Sequence, residues 1–526
     1  MERFIKFRML VLTALLLLTA RLAFIAAVKG ETLSRQAVIQ RTERISVKAA
    51  RGIIYDRNMR KITEGQNRLY AAVMPSECEN KDEISRLTGQ DISGDDVKIF
   101  PLEAVTESQS RLVGMQGVSL FNVNERYNGS GVLSHVIGYT SDNGGFGIER
   151  VFNNALKSGQ DDSISMIKNA NKKIMSGLGY AKTSEDLRHG VKLTIDYHIQ
   201  EIVEKAMDMK VNSGAAVVVE VKTGEIVAMA SRPNFKQSEL ARYLESDRGE
   251  LVNRAIMGYD VGSVFKLVLT IAALEEGYYT PQSRFFCSGA YDASGREFAC
   301  NKKDGHGHLT LSQGLAQSCN VVFYSIGQKI GVNNIAKYAR KLGFAEQVLK
   351  IEGLGESKGF IPYDSQISPQ ELANISIGQG NISVTPVQVA DMLCTIANNG
   401  VRNQLTLVKG IVDENGKSKD IEPVSLGRVF SERTAKAVRE MLCEVVENGT
   451  GVNAKIEGWG AAGKTGSAET GWEIDGASVT HGWFAGYFPA DKPRYVCVVL
   501  IENGKSGGAY AAPVFKEIGE NIKRLY

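Results

Sequence analysis

Apolar positions divide the chain into a short hydrophobic segment and a long mixed remainder. Residues 9–28 are apolar except for Arg21, and three cations lie among the eight residues before them. Twenty apolar residues are enough for a helix to span a bilayer. The end of such a helix that is flanked by cations tends to lie on the cytoplasmic side. The pattern predicts a cytoplasmic tail over 1–8, an uncleaved transmembrane anchor over 9–28 and an extracytoplasmic remainder in a single-pass topology.

The remainder shows strand-like runs at both ends of its C-terminal part and helical periodicity between them. The boundary with an outer, non-catalytic domain over 31–188 is expected near Arg188-His189-Gly190. Beyond it we expect a strand over 191–196, a helix over 197–209 and a hairpin over 214–221 and 225–230. Strands over 461–469, 482–488 and 495–501 and a closing helix over 511–525 follow a mainly helical region over 264–455. We therefore expect an α+β fold with one antiparallel sheet that joins both ends of residues 189–526.

Composition limits the possible functions. The 526 residues are long enough for two or three domains, and 43% hydrophobic with 23% charged residues is ordinary for a globular protein. The net charge of +3 is small and dispersed. This charge argues against a nucleic-acid-binding protein.

The run Gly262-Ser263-Val264-Phe265-Lys266 is the central chemical motif. It lies between a turn-like run and an apolar run, and it predicts a helix that begins at the serine. Ser263 and Lys266 are three residues apart and share one helix face. A serine needs a base to become a nucleophile, and a lysine can be that base if burial or nearby cations lower its pKa. Alone, this S-x-x-K pattern is common and is weak evidence.

Two further motifs follow in the chain, Ser318-Cys319-Asn320 and Lys464-Thr465-Gly466. Ser318 can relay a proton to a leaving amine, and the Asn320 amide can both donate and accept hydrogen bonds to a substrate amide. An earlier Lys222-Thr223-Gly224 precedes Ser263 and is interpreted as a turn between strands.

The later K-T-G motif has a chemical role beside Ser263. Lys464 adds a charge that favours neutral Lys266 and attracts a carboxylate, to which Thr465 can donate a hydrogen bond. Gly466 leaves room for a substrate along the strand edge. The backbone N–H groups of Ser263 and Ser467 are the oxyanion-hole candidates.

The three motifs in this order resemble those of β-lactamases and penicillin-binding proteins. Over essentially its whole length, the chain is similar to the class B penicillin-binding proteins, which are membrane-anchored peptidoglycan D,D-transpeptidases. One departure is Val261, where many relatives have proline. Further stretches that resemble this family are Arg51–Asn58, Leu193–Asp196, Ser231–Phe235, Gly378–Gly380 with Thr385-Pro386, and Gly507-Gly508 with Ala511–Phe515.

The resemblance implies a specific architecture and reaction. A transpeptidase domain over 189–526, with a five-stranded antiparallel sheet against helices, would stand on an elongated, dimerisation-type pedestal over 31–188. Ser263 would attack a stem peptide that ends in D-Ala-D-Ala, release D-alanine and pass the acyl group to an amine of a neighbouring stem. The family also implies acylation by β-lactams and a membrane-embedded glycan polymerase as partner, with no cofactor.

Two alternatives remain open from the sequence. The first is a D,D-carboxypeptidase or β-lactamase of the same superfamily, although the long outer domain and the anchor argue against a freely diffusing lactamase. The second is a non-catalytic cell-wall scaffold or β-lactam sensor. The intact motifs around Ser263, Ser318 and Lys464 argue against a scaffold.

Seven cysteines are an odd number, so at least one is unpaired in a monomer. Cys394, Cys443 and Cys497 lie in apolar runs and are interpreted as core residues. Three alternatives stay open for another group: free thiols, a disulfide between Cys300 and Cys287 or Cys319, or structural zinc. That group is Cys287, Cys300, His306 and Cys319.

Two polar features outside the motifs are interpreted as structural. The cluster of charges over Arg51–Asn58 is expected to be an ion-paired turn rather than a catalytic pair or phosphate site. His135 has no metal-ligand spacing around it and is expected to be a packed or surface histidine.

Overall fold

The structure is a computed structural model that describes residues 1–48, 51–63, 67–102, 111–127, 129–140, 144–157, 162–167, 181–183, 189–363, 366–474 and 476–526. The chain divides into two compact units. The first comprises 1–51, 65–126 and 157–187, and the second comprises 52–64, 127–156 and 188–526. The second unit thus includes two segments that precede residue 189 in sequence. The domain limits 31–188 and 189–526 stay predictions, and Arg188 lies outside the described residues.

The first unit begins with a long exposed helix. Helix α1 (Glu2–Phe24), a π-helical turn (Ile25–Lys29) and helix α2 (Gly30–Arg41) are continuous over 40 residues. Within the described residues this is the one helix that is long and apolar enough to cross a membrane. It contains the predicted anchor over 9–28, and the Arg21 guanidinium lies 5.8 Å from the ring centre of Phe24.

Two small antiparallel sheets complete the described part of the first unit. One has the order β1-β6-β7 and the other β4-β3-β5. Apolar side chains of the second sheet, among them Ala71 and Phe100, pack with Ile84. The elements are β1 (Thr42–Lys48), β3 (Asn67–Val73), helix α3 (Lys81–Thr88), β4 (Lys98–Pro101), β5 (Val118–Asn124), β6 (Asp162–Ile167) and β7 (Ala181–Thr183).

A five-stranded antiparallel sheet organises the second unit, as predicted. Its order is β10-β9-β21-β20-β19, and β9 pairs with β21 through Val219 and Val496. Strands β9 and β10 come early in residues 189–526, whereas β19, β20 and β21 come late. The pairing of β9 with β21 therefore joins the two ends of this part of the chain. The strands are β9 (Gly214–Glu220), β10 (Ile226–Arg232), β19 (Ala462–Ile474), β20 (Ala477–Phe488) and β21 (Tyr495–Ile501).

Helices cover this sheet, and local sequence explains where several of them begin. Asp196 accepts hydrogen bonds from the first turn of α7, and Thr385 forms a capping box with Gln388 before α13. The helices are α4 (Ser134–Ile137), α5 (Gly147–Val151), α6 (Asn153–Leu156), α7 (Tyr197–Lys210), α8 (Leu240–Leu244), α9 (Lys266–Glu275), α10 (Leu311–Ala316), α11 (Asn320–Lys341), α12 (Pro369–Ser376), α13 (Pro386–Ala397), α14 (Glu432–Asn448) and α15 (Ala512–Lys523).

The region predicted as mainly helical also contains short strands, which the prediction missed. Strands of three to five residues with partly exposed side chains give no clear alternation. A four-stranded sheet, β17-β16-β8-β2, includes a parallel pair between β2 and β8. The missed strands are β11 (Arg284–Cys287), β12 (Ala290–Asp292), β13 (Glu297–Ala299), β14 (Gly307–Thr310), β15 (Val401–Asn403), β16 (Val408–Val412), β17 (Ser418–Asp420) and β18 (Ser425–Arg428). Two further strands lie outside 264–455: β2 (Ile53–Tyr55), and β8 (Gly190–Leu193), which overlaps the strand predicted over 191–196.

The arginine-rich segment forms an ion-paired turn, as predicted. Arg57 Nη2 lies 2.6 Å from a Glu225 carboxylate oxygen and 3.1 Å from one of Glu220. Glu225 is almost completely buried and also pairs with Lys409 at 2.7 Å. The interpretation of this segment as structural is therefore confirmed for Arg57.

The other two structural interpretations also hold. His135 is buried, and its Nε2 lies 2.7 Å from the Glu250 carbonyl oxygen. Burial lowers the pKa of His135 to about 3, so the ring is neutral. The early Lys222-Thr223-Gly224 forms the turn between β9 and β10, where Gly224 adopts a positive φ of 73°.

Substitution of Arg57 by alanine should destabilise the second unit by about 1–3 kcal/mol, because Glu225 keeps its burial but loses one of its cations. Urea unfolding followed by tryptophan fluorescence measures this effect, since all three tryptophans lie in the second unit.

Arg242→Ala is the matched control. Arg242 pairs with Glu239 on an exposed surface, so its loss should cost no more than about 0.5 kcal/mol. Equal destabilisation by both substitutions would contradict the structural role assigned to Arg57.

Candidate active site

Ser263 lies on a tight turn at the entrance of the central helix. A 3₁₀ turn over Gly262–Phe265 leads directly into α9, whose first residue is Lys266. Lys266 is completely buried, whereas Ser263 is half-buried. The predicted serine-to-lysine helix start is therefore present, with a 3₁₀ first turn.

Glycines allow three chain segments to meet at this turn. Gly262 has a positive φ of 58°, and a Cβ atom on it would lie 2.5 Å from the Ser467 carbonyl oxygen. Its N–H donates to the Gly378 carbonyl oxygen at 2.9 Å, and a Cβ atom on Gly378 would collide with Gly262. Both positions therefore require glycine for conformation and for space.

The S-x-N motif occupies the connection between α10 and α11. Ser318 has a positive φ of 55°, which is unusual for a residue other than glycine. Cys319 is the N-cap residue of α11, and Asn320 is its first residue. Strained backbone of this kind is often found where side chains are held for function.

Lys266 is hydrogen-bonded to the S-x-N motif. Its Nζ donates to the Ser318 carbonyl oxygen at 2.8 Å and to Asn320 Oδ1 at 2.8 Å, and it lies 3.3 Å from Ser318 Oγ. In the described part of the chain, no hydrogen bond joins Ser263 Oγ to Lys266. The hydrogen bonds of Lys266 go instead to Ser318 and Asn320.

The K-T-G motif lies on edge strand β19, and the Lys464 side chain points to Ser318. Lys464 Nζ is 2.9 Å from Ser318 Oγ and 3.1 Å from the Thr465 carbonyl oxygen. Gly466 is needed for packing as well, since a Cβ atom there would lie 2.8 Å from the Val261 carbonyl oxygen. The Ser318 hydroxyl therefore stands between two buried lysines.

Burial shifts the protonation of both lysines. It lowers the pKa of Lys266 to about 7, although the Cys319 and Cys300 thiols oppose the shift. Burial and the nearby Lys266 ammonium hold the pKa of Lys464 well below its ordinary value. Of the two causes expected from the sequence, burial and a nearby cation, burial is the main cause of the lowered pKa of Lys266.

The motifs open onto a cleft of about 930 Å³. Thr450, which the sequence analysis did not single out, joins the K-T-G motif through a 2.7 Å contact between its hydroxyl and that of Thr465. It lies in a loop after α14, and no local pattern marks it. Residues of the predicted motifs that line the cleft are Ser263, Ser318, Asn320, Thr465 and Ser467.

A second polar network, also missed in the sequence, supports the segment before Ser263. The Glu502 carboxylate accepts hydrogen bonds from Tyr259 Oη at 2.7 Å and Arg254 Nε at 2.9 Å, and also from Ser213. Burial and the Glu502 carboxylate raise the pKa of Tyr259. This network ties the chain that precedes the serine turn to the end of β21.

Comparison with known proteins adds the family. Residues 214–520, more than half of the chain, match the penicillin binding protein transpeptidase domain. Stage V sporulation protein D of Bacillus subtilis is 29% identical over 96% of this chain and 82% of its own length. Peptidoglycan D,D-transpeptidase FtsI of Escherichia coli is 29% identical over 78% of this chain and 69% of its own length.

A solved structure agrees with the sequence matches. A chain from the study titled "Structural coordination of polymerization and crosslinking by a peptidoglycan synthase complex" superposes with a TM-score of 0.72 at 26% identity. The match covers 100% of this chain and 99% of that chain. The chain therefore belongs to the penicillin-binding protein transpeptidase family, and within it to the class B penicillin-binding proteins.

Proposed function

We propose that this chain is a peptidoglycan D,D-transpeptidase that cross-links stem peptides through an acyl-enzyme on Ser263. One observation carries the proposal: Ser318 Oγ lies within reach of both Lys266 and Lys464, in the cleft that Ser263 lines. The arrangement supplies a nucleophile, a base with a lowered pKa and a hydroxyl relay. The names of relatives such as FtsI and MrdA support the same activity.

Acylation begins when neutral Lys266 removes the proton of Ser263. The serine oxygen attacks the carbonyl carbon of the penultimate D-alanine, and the peptide C–N bond breaks. The proton passes from Lys266 through the Ser318 hydroxyl to the leaving nitrogen, so that D-alanine departs as a neutral amine. The 2.8–3.3 Å contacts of Lys266 with the S-x-N motif support this path.

Other residues of the cleft hold the substrate. The backbone N–H groups of Ser263 and Ser467 stabilise the oxyanion, and the carbonyl group of Ser467 lies beside Gly262. Lys464 and Thr465 bind the terminal carboxylate, and Thr450 orients the Thr465 hydroxyl. Asn320 binds an amide of the donor peptide through its side chain.

A second substrate then resolves the acyl-enzyme. The amine of a neighbouring stem attacks the ester, the bond to Ser263 breaks, and the serine regains its proton through the same relay. Transfer to water instead would make the protein a D,D-carboxypeptidase or a β-lactamase. The relatives' names favour the transpeptidase over these hydrolases and over a scaffold or sensor.

The N-terminal helix supports a proposal for location. We propose that α1 anchors the chain in the cell membrane by a single pass, with the catalytic unit outside the cytoplasm. A membrane-embedded glycan polymerase is the proposed partner, since a similar chain was solved in a peptidoglycan synthase complex. β-Lactams are the proposed inhibitors, because they mimic the acyl donor.

Benzylpenicillin should form a long-lived covalent adduct with the full-length chain, and Ser263→Ala should abolish it. Intact-protein mass spectrometry measures the adduct. Ser425→Ala, an exposed serine on β18, is the control and should keep full labelling. Rapid loss of the drug without a lasting adduct would instead indicate a β-lactamase.

The rate of acylation should depend on the protonation of Lys266. The base is neutral only above its pKa of about 7, so the rate constant should rise about tenfold per pH unit below pH 7 and level off above it. Stopped-flow measurements with a fluorescent penicillin give this profile. Lys266→Arg should lose acylation, whereas the exposed Lys455→Arg should keep the profile. A rate that does not change between about pH 5 and 9 would contradict Lys266 as the base.

A further inference from the structure

Four possible metal ligands converge beside the S-x-N motif. The side chains of Cys287, Cys300, His306 and Cys319 bring their donor atoms within 4.8 Å of one another. The three cysteines are buried, and the histidine is half-buried. All three thiols are free. Such a concentration of soft ligands in the interior is typical of structural zinc sites.

Three of the distances between donor atoms fit a tetrahedron around one ion. Zinc binds cysteine sulfur at about 2.3 Å and histidine nitrogen at about 2.0–2.1 Å, so tetrahedral S–S and S–N edges are about 3.8 Å and 3.6 Å. The Sγ atoms of Cys300 and Cys319 are 3.8 Å apart. His306 Nδ1 is 3.5 Å from Cys287 Sγ and 3.6 Å from Cys300 Sγ. Three independent distances therefore match the edges of a zinc polyhedron.

We propose that Cys287, Cys300, His306 and Cys319 bind one structural zinc ion. Four protein ligands close the coordination sphere, so the ion holds the fold and does not activate water. A disulfide between Cys300 and Cys319 would bring the two sulfurs to about 2.05 Å and would use only two of the four side chains. Zinc would use all four side chains, whose donor atoms lie within 4.8 Å of one another.

The local backbone presents these ligands in tight turns. Strand β11 pairs with β14, and Cys287 is opposite Gly307, next to His306. Cys300 follows β13, and its N–H donates to the Gly289 carbonyl oxygen at 2.7 Å. A Cβ atom on Gly289 would collide with the Lys303 backbone, and one on Gly305 with the Cys287 backbone. The glycines thus let the ligand-bearing turns approach each other closely.

The ion would tie this short-stranded segment to the catalytic motif. Cys319 stands between Ser318 and Asn320, whereas the other three ligands belong to residues 287–306. The two parts already touch, since Asn301 Nδ2 donates to the Gln317 carbonyl oxygen at 3.2 Å. Strands of three or four residues bury little apolar surface, so a metal cross-link is an effective stabiliser. Zinc would therefore fix the position of Ser318 indirectly.

The first test measures metal in the full-length chain, purified in detergent under reducing conditions. Inductively coupled plasma mass spectrometry should find one zinc ion per chain. After dialysis against a chelator, Cys287→Ser should hold at least tenfold less zinc, whereas Cys443→Ser, a thiol outside the cluster, should keep it. Zinc bound equally by both variants would overturn the proposal.

The second test needs no variant. Replacing zinc with Co²⁺ in the wild-type chain should give one equivalent of a tetrahedral spectrum with thiolate charge-transfer bands. Thiol titration of the unfolded chain in chelator should then find all seven cysteines. If the chain holds no metal and only five thiols titrate, a disulfide is present. If it holds no metal and all seven thiols titrate, the cysteines are free. Either result would overturn the zinc site. These readouts are independent of catalysis, so they stand apart from the proposed transpeptidase activity.

Discussion

The hydroxyl group of Ser318 between two buried lysine side chains is the constraint on which the site depends. Lys266 and Lys464 are both completely buried, and both place Nζ within 3.3 Å of Ser318 Oγ. Two full positive charges on either side of one hydroxyl group in the protein interior would repel each other strongly. Burial lowers the pKa values of both lysines, and this favours a neutral amine beside the Ser318 hydroxyl.

The architecture serves this arrangement by bringing three distant segments together. Helix α9 carries Lys266, the α10–α11 connection carries Ser318, and edge strand β19 carries Lys464. The pairing of β9 with β21 closes the sheet and places β19 at its edge, beside the serine turn. Glycine at positions 262, 378 and 466 lets β19 and the segment at Gly378 approach the serine turn closely. Ser318 adopts a positive φ of 55° in the α10–α11 connection, which is a local conformational cost.

Much of the second unit could be predicted from sequence because its patterns are local. The apolar strands β9, β20 and β21 and the caps of α7 and α13 are visible as periodicity and as Asp196 or Thr385 at helix starts. The short strands in 284–310 and 401–428 were missed, because three to five residues carry too little periodicity. Segments 52–64 and 127–156 joined the second unit through contacts that no local pattern records.

The site shows the same division between local and long-range information. The three motifs predicted the candidate site residues, and the structure brings Lys266, Ser318, Asn320 and Lys464 together. It does not place Ser263 Oγ in a hydrogen bond with Lys266 within the described residues. Thr450 and Glu502 were missed because their partners are distant in sequence. Long-range pairing of isolated polar residues is a property of the fold, so one sequence does not reveal it.

The most direct test of the account is a reaction of the full-length chain with a soluble stem pentapeptide that ends in D-Ala-D-Ala, with and without an amine acceptor. Liquid chromatography with mass spectrometry measures D-alanine, the cross-linked dimer and the hydrolysed tetrapeptide. If the chain is a transpeptidase, the cross-linked dimer should form in step with D-alanine release when the acceptor is present. Release of D-alanine with only the tetrapeptide acid as product, whatever the acceptor concentration, would contradict the transpeptidase and establish a carboxypeptidase.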